Sequence, residues 1–198
     1  LPSGFGTRLD KVSMVLDLTA SEAELQQAWG SKLRSQIRRG DRESPEIVWG
    51  NAELLDDFYT VFAQSMHELG TPVYPRRFFD DALRAFGSAA AVLVVRAGGA
   101  VQAAAVTVDH GRSREVPWAA ATPQAKKTSL NMRLYWEMIR AAVRDGRSAF
   151  DFGRSTRESG TYRFKAQWGA RPVQLYWHYW LPNGGELPVL NQSNPKYA

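Results

Sequence analysis

The chain has 198 residues, of which 44% are hydrophobic and 23% are charged, with a formal net charge of +5 and no cysteine. These values are typical of one globular domain and exclude disordered, collagen-like and coiled-coil chains. The lack of cysteine excludes disulfides, thiolate nucleophiles and cysteine-based metal sites. The three histidines lie far apart in sequence, so we predict no metal site.

No apolar run reaches the ~18 residues of a transmembrane helix, and no charged-then-apolar leader precedes the first predicted strand. We therefore expect a cytoplasmic protein. The positive charge is concentrated: residues 32–42 carry five cationic side chains against one aspartate. Arg34 and Arg38, four residues apart, share one helix face. Such a patch attracts phosphates, nucleic acid or carboxylates, although a solvated helix face explains it equally well.

Alternating apolar residues predict a strand over Lys11 to Leu18. Ser21 and Glu24 form a capping box, which predicts the start of a helix. Apolar residues then recur every four positions, at Leu25, Trp29, Leu33 and Ile37. We predict one continuous helix that carries them and ends at Gly40.

The middle of the chain predicts a short strand, two helices and a three-stranded meander. The strand covers Glu46 to Trp49, the first helix runs from Asn51 to Gly70, and the second covers Arg76 to Phe86. The meander strands are separated by glycine-containing turns: Ala90 to Arg96, Val101 to Asp109 and Glu115 to Ala121.

Four further elements are predicted near the C-terminus: a helix over Lys127 to Asp145, a strand over Ser148 to Phe152, a helix over Gly160 to Trp168 and a strand over Arg171 to Leu181. This order predicts an α+β fold with a mixed central sheet flanked by helices. We expect a single domain over residues 1–181, which starts in a loop-like LPSGFG segment, and an extended tail over residues 182–198.

The most informative segment is DFGRSTRESGTYRFKAQWG, from Asp151 to Gly169. It leaves a predicted strand, crosses a loop rich in glycine and hydroxyl groups, and enters a short helix. Open sheets place ligands at such strand ends. Lys165 has Tyr162 and Trp168 three positions away on either side, so we predict an ammonium between aromatic side chains that stabilises an oxyanion or a phosphate.

A plainer interpretation of the same segment stays open. In it, Tyr162, Phe164 and Trp168 belong to the core, Lys165 is solvated, and Asp151 pairs with Arg154.

This segment, together with SKLRSQIRRG (Ser31 to Gly40) and GTPVYPRRFF (Gly70 to Phe79), resembles the FemAB-like group of the GNAT superfamily. More narrowly, it resembles the FemAB-related proteins associated with exosortase/PEP-CTERM export systems. The resemblance covers most of residues 11–181 and implies a GNAT fold. Because full-length FemAB proteins carry two GNAT-like halves, it also implies that the chain is the C-terminal half of a longer protein.

The resemblance implies transfer of an acyl or aminoacyl group from an activated donor to an amine, in cell-envelope or exopolysaccharide-related biosynthesis. Aminoacyl-tRNA is the donor of the characterised Fem enzymes, so tRNA is an implied partner. The family's Phe-Lys pair falls on Phe164 and Lys165, which we predict to be catalytic, with Asp151 accepting a proton or orienting Arg154. The predicted substrate-binding residues are Arg34, Arg38, Trp118, Asn131, Tyr135, Arg154, Ser155, Tyr162 and Trp168.

The sequence departs from one GNAT motif. GNAT enzymes that use acetyl-CoA carry Q/RxxGxG/A after their fourth strand, whereas the equivalent stretch here, Thr122 to Ser129, has no glycine. A tight nest of backbone amides for a pyrophosphate is therefore not expected, which favours an activated donor other than acetyl-CoA. An acyl-CoA and an aminoacyl-tRNA both stay open as donors. Two alternatives stay open: an acetyl-CoA-dependent N-acetyltransferase, and a non-catalytic module that binds an anionic ligand through Lys32, Arg34 and Arg38.

Overall fold

The computed structural model describes residues 5–18 and 21–180, so Leu181 and the predicted tail lie outside the described residues. The core of the fold is a seven-stranded mixed sheet. Its strands, in spatial order, are β3 (Glu46–Gly50), β4 (Ala90–Ala97), β5 (Ala100–His110), β6 (Ser113–Ala121), β7 (Ala149–Thr156), β2 (Lys11–Asp17) and β8 (Arg171–Gln174). Neighbouring strands are antiparallel except β6 and β7, which are parallel. A separate ribbon pairs β1 (Phe5–Arg8) with β9 (Trp177–Trp180).

Helices cover both faces of the sheet, which confirms the predicted α+β class. They are α1 (Glu22–Ala28), α2 (Ser31–Asp41), α3 (Leu55–Glu68), α4 (Arg76–Phe86), α5 (Pro123–Thr128), α6 (Leu130–Arg144) and α7 (Gly160–Ala166), with single 3₁₀ turns at Ala52–Leu54 and Gly87–Ala89. One hydrophobic core joins the sheet to α1, α2, α6 and α7. A second core joins the opposite face to α3 and α4.

The predicted single helix from Ser21 to Gly40 is wrong, because the chain leaves the helix at Trp29. Ser21 caps α1 as predicted, its hydroxyl accepting a hydrogen bond from the Glu24 amide (3.2 Å). Trp29 then adopts an extended backbone, and its Nε1 donates to the Trp168 carbonyl (2.8 Å). Its ring packs edge-on against Trp136 and Trp168, with centroids 5.2 and 5.1 Å away. These contacts outweigh continuation of the helix.

Two other predicted elements are divided. The long helix over Lys127 to Asp145 breaks at Ser129, which has a left-handed backbone (φ 66°). The predicted strand over Arg171 to Leu181 is two strands, because β8 pairs with β2 whereas β9 pairs with β1. Strand β1 includes residues 5 and 6, which the sequence placed in a loop. At the break, the side-chain Nε2 of Gln174 lies within hydrogen-bond distance of the carbonyls of Leu9, Lys11 and Leu175 and shares its two hydrogens among them.

Gly40 does not end its helix as predicted but lies inside α2. A Cβ at this position would lie 2.6 Å from the Ser129 carbonyl oxygen and 3.2 Å from the Arg133 Cβ. Gly40 is therefore required by the close approach of α2 to the start of α6.

Replacing Gly40 by Ala should lower the free energy of unfolding by about 1–3 kcal/mol, since overpacking outweighs the better helix propensity of Ala. Gly160→Ala is the matched control, because nothing lies within 4 Å of a Cβ there; its effect should stay within about 0.5 kcal/mol. Denaturant unfolding of both variants measures this. Equal stability of the two variants would contradict the packing argument.

Candidate active site

The central feature of the sheet is a gap between β6 and β7. These strands pair at only three positions, Ser113 with Ala149, Arg114 with Phe150 and Glu115 with Asp151. Beyond this short ladder each strand keeps only its outer neighbour: β6 stays paired with β5, and β7 with β2. The gap therefore opens next to Glu115 and Asp151.

Irregular backbone on both strands keeps the gap open. On β6, the pairing with β5 shifts between Glu115 and Trp118, and Pro117 within this bulge has no N–H to donate to a neighbouring strand. On β7, the pairing with β2 shifts between Asp151 and Arg154. Gly153, inside that second bulge, has φ +74°, a conformation that favours glycine. The two bulges carry the strands apart.

Lys165 binds the backbone of the β7 bulge. Ser159 caps helix α7, its hydroxyl accepting a hydrogen bond from the Tyr162 amide (3.1 Å), and the helix brings Lys165 against β7. The Lys165 Nζ donates to the carbonyls of Gly153 and Arg154, each at 2.9 Å. Only 8% of Lys165 is exposed. The ammonium therefore satisfies two carbonyls that have no partner strand on the β6 side.

Burial lowers the pKa of Lys165 from 10.5 to about 8, because the charged form is poorly solvated there. The positive charge of Arg154 acts in the same direction, whereas the Asp151 carboxylate favours the charged form. The prediction that Lys165 is solvated is wrong. Its amine also contacts backbone carbonyls, where we predicted aromatic side chains, because α7 turns Lys165 towards β7.

A cavity of about 740 Å³, the main cavity, lies at the gap on the α3 and α4 side of the sheet. Its floor is polar and is formed by Ser13, Glu115, Asp151 and Arg154. Its wall is aromatic and apolar and includes Phe62, Met66, Tyr74, Phe78, Trp118 and Leu175. A concave apolar site with a few convergent polar groups is typical of a ligand-binding site.

The two carboxylates on the floor have different surroundings. One oxygen of Asp151, Oδ1, accepts from the Ser13 hydroxyl (2.5 Å) and from the Gly153 amide (2.7 Å). Within residues 5–18 and 21–180, the Glu115 carboxylate receives no hydrogen bond; the exposed His110 Nε2 lies 3.9 Å from its Oε2. Burial and the charge of Asp151 raise the pKa of Glu115, against a smaller opposing effect of His110. Glu115 therefore holds a proton more readily than an ordinary glutamate.

A second cavity of about 190 Å³ lies where β6 ends, between α3 and α6. Its polar lining includes Lys126, Asn131 and Tyr135, and Met66 and Ala119 line both cavities. Burial raises the pKa of Tyr135 to about 12, so its hydroxyl stays neutral. The two cavities therefore meet along the same stretch of β6.

The structure brings together some of the predicted site residues. Asp151, Arg154 and Trp118 line the main cavity, and Asn131 and Tyr135 line the second. Asp151 does not pair with Arg154, whose guanidinium lies 5.4 Å over the Trp177 ring. No sequence pattern singled out Glu115, because its role depends on its register opposite Asp151. The sequence signal that could have indicated Glu115 is Pro117, a proline two residues later inside a predicted strand.

Other predicted site residues line neither cavity. Trp168 is fully buried in the core, and the half-buried Phe164 packs edge-on against Tyr135 with centroids 4.9 Å apart. Ser155 is buried, and its hydroxyl has no partner among the described residues. Arg34 and Arg38 lie on α2, which packs on α6 across the sheet from the main cavity. Tyr162 is half-buried at the start of α7.

No helix formed by residues 5–18 and 21–180 has the length and the apolar character needed to cross a membrane. No group of three or more His, Cys, Asp or Glu side chains among them is arranged to hold a metal ion.

A mixed sheet whose central parallel strands separate beside a ligand cavity, with helices on both faces, defines the fold class of the GNAT acyltransferases. The sequence model described as "Acetyltransferase (GNAT) domain" matches residues 31–166. Because the match covers more than half of the chain, the protein belongs to this family. No sequence among the curated proteins is significantly similar to the chain.

Solved structures share the fold at low sequence identity. FemX superposes with a TM-score of 0.77 at 13% identity, covering 91% of this chain and 67% of FemX. The C-terminal domain (DUF2156) of a putative lysylphosphatidylglycerol synthetase from Agrobacterium fabrum and L-PGS from Bacillus licheniformis each give 0.65 at 13% identity, covering 89% of this chain and 62% of theirs. The predicted GNAT fold is therefore confirmed.

The buried ammonium should appear in the pH dependence of stability. Between pH ~8 and ~10.5 the unfolded chain binds more protons at Lys165 than the folded chain does, so the free energy of unfolding rises with pH through this residue. Lys165→Met removes the effect. The difference in unfolding free energy, wild type minus variant, should increase across this window in denaturant titrations. A difference that stays constant with pH would show that folding does not lower the pKa of Lys165.

Proposed function

We propose that the protein is a FemAB-like N-acyltransferase, which moves an acyl or aminoacyl group from an activated donor to an amine in cell-envelope biosynthesis. The observation that carries the proposal is the carboxylate pair at the strand gap: Glu115 and Asp151 are opposite each other at the end of the β6–β7 ladder and line the main cavity. Membership of the GNAT family supports the reaction class.

The reaction needs a neutral amine nucleophile, whereas amines are protonated near neutral pH. Glu115 suits the role of base, because its pKa is raised and no hydrogen bond from the described residues stabilises its charged form. Glu115 accepts one proton from the bound ammonium and releases it to solvent. The neutral amine then attacks the donor's carbonyl carbon and forms a C–N bond, and its second proton passes to Glu115. Collapse of the tetrahedral intermediate breaks the donor's C–O or C–S bond, and the leaving group takes this proton from Glu115.

We assign Lys165 to positioning. Its Nζ binds the Gly153 carbonyl, and the Gly153 amide in turn binds Asp151. This relay fixes the bulge and the carboxylate together. Lys165 lines neither cavity, so it acts on the reaction through the bulge that it holds. Phe164 supports the second cavity through its contact with Tyr135.

We place the donor in the second cavity, beside Lys126 and Asn131. An aminoacyl ester is the favoured donor for two reasons. The amide of Ala125, at the start of α5, is already bound by the Thr122 hydroxyl (3.0 Å), in a stretch without glycine. In addition, two structures with this fold carry the name lysylphosphatidylglycerol synthetase or L-PGS. The exposed cations of α2, Arg38 among them, are proposed contacts of a tRNA donor.

An acetyl-CoA-dependent N-acetyltransferase is the second candidate, favoured by the family's description as an acetyltransferase domain. The correspondence of this domain to the C-terminal half of a two-GNAT protein stays a prediction.

Glu115→Gln should lower kcat by about 10²–10⁴-fold, because the variant cannot accept the amine proton. Glu43→Gln, an exposed residue outside both cavities, is the matched control. Transfer to a panel of amines is measured with acetyl-CoA and with an aminoacyl-tRNA. Wild-type kcat should fall as the pH drops through the raised pKa of Glu115. Wild-type activity of Glu115→Gln, or no transfer from either donor to any amine, would overturn the proposal; transfer from acetyl-CoA alone would establish the second candidate.

A positioning role for Lys165 predicts loss of kcat with little change in KM. Lys165→Met should lower kcat by at least ~10-fold, and Lys165→Arg, which keeps the charge and the donors, should restore part of it. Steady-state kinetics of both variants, with thermal unfolding to verify the fold, measures this. Equal kcat for the Met and Arg variants would show that the positive charge at position 165 does not contribute to kcat.

A further inference from the structure

We propose that the acceptor is a phosphate-free primary amine carried on an aromatic or other flat apolar body, with its ammonium on the floor of the main cavity and its apolar part against the wall. This inference rests on the proposed function, because it assigns the acceptor of that transfer. It follows from the aromatic wall, from the charges of the floor and from the distance between them.

The wall presents aromatic surface that the protein itself leaves uncovered. Phe78 stacks on Tyr74, with ring centroids 4.5 Å apart, and meets the edge of Trp118 at 5.6 Å. Yet Tyr74 is 57% exposed and Phe78 is 38% exposed. A preformed set of rings that faces a cavity gains free energy when a flat apolar group replaces water there.

The floor selects for positive charge. Among the described lining residues the charged ones are Glu115, Asp151 and Arg154, so the carboxylates outnumber the cation. The guanidinium of Arg154 is also engaged over the Trp177 ring. Lys165 does not line the cavity, and its ammonium is bound to two backbone carbonyls. An acceptor that carried a phosphate would therefore face two carboxylates with one cavity-lining cation to offset them, whereas an ammonium would be attracted.

The distance from floor to wall limits the linker in the acceptor. Glu115 and Trp118 are three residues apart on a strand, which is at most ~10 Å, and the bulge between them shortens this span. Both side chains line the same cavity. An amine separated from its ring by two or three carbons would therefore reach the carboxylates while its ring contacts Trp118.

The test is calorimetric titration of the protein with tryptamine and with three comparison ligands. These are 3-ethylindole, which lacks the ammonium; n-butylamine, which lacks the ring; and O-phosphoethanolamine, which lacks the ring and adds a phosphate to a small amine. Tryptamine should bind at least ~10-fold more tightly than each of them. Tryptamine binding no more tightly than 3-ethylindole would overturn recognition of the ammonium, and equality with n-butylamine would overturn recognition of the ring.

Two variants test the contributions of the aromatic wall and of the charged floor separately. Phe78→Ala should weaken tryptamine binding at least ~5-fold, and Glu115→Gln should reduce the preference for tryptamine over 3-ethylindole by a similar factor. Phe86→Ala is the control, because Phe86 lies on the same helix and is 50% exposed but does not line the cavity. The affinity of this variant for tryptamine should equal that of the wild type. Equal losses in Phe78→Ala and Phe86→Ala would overturn the site. Thermal unfolding verifies that each variant folds.

Binding and transfer are measured separately, so the two proposals fail in different ways. Tryptamine binding without acyl transfer from any donor would overturn the proposed function and keep the binding site. Acyl transfer to a peptide lysine or to a phosphate-bearing amine, without tryptamine binding, would keep the transferase and overturn the acceptor class.

Discussion

The ladder between β6 and β7 is three residue pairs long, and the site depends on its ending there. A longer parallel ladder would close the gap between β6 and β7. Pro117 has no N–H for such a ladder, and the bulge at Gly153 turns the β7 backbone away from β6. The separation leaves Gly153 and Arg154 of β7 without a partner on the β6 side, and Lys165 bonds to the carbonyls of both. The buried cation and the open cavity thus have a common cause, which is the early end of one strand pairing.

The site also lies between two separately packed layers. One core holds α3 and α4 against the sheet, and the other holds α1, α2, α6 and α7. The main cavity takes its wall from the first layer, whereas the bulge that shapes its floor is held by α7 from the second. Met66 and Ala119, which line both cavities, lie where these layers meet at the gap. A donor and an acceptor bound in the two cavities would therefore approach each other there.

Local patterns were sufficient to predict most of the elements, and α4 was predicted with its observed bounds, Arg76–Phe86. The errors occur where a distant contact overrides a local preference. Trp29 leaves its helix for a hydrogen bond to residue 168, and β9 separates from β8 to pair with β1. The same limit applies to the site. Asp151 is a candidate from the sequence because it opens the polar segment after a predicted strand, but Glu115 becomes significant only through its register with Asp151, which no local pattern contains.

The ribbon of β1 and β9 joins the two ends of the described chain. Thr7 and His178, which are 171 positions apart, are hydrogen-bonded neighbours in it. The ring of Trp177, in the same ribbon, lies under the guanidinium of Arg154, which lines the main cavity. Contacts between residues so distant in sequence raise the contact order of the fold, which slows folding. The ring under the Arg154 guanidinium is therefore in place only when segments near both ends of the described chain have come together.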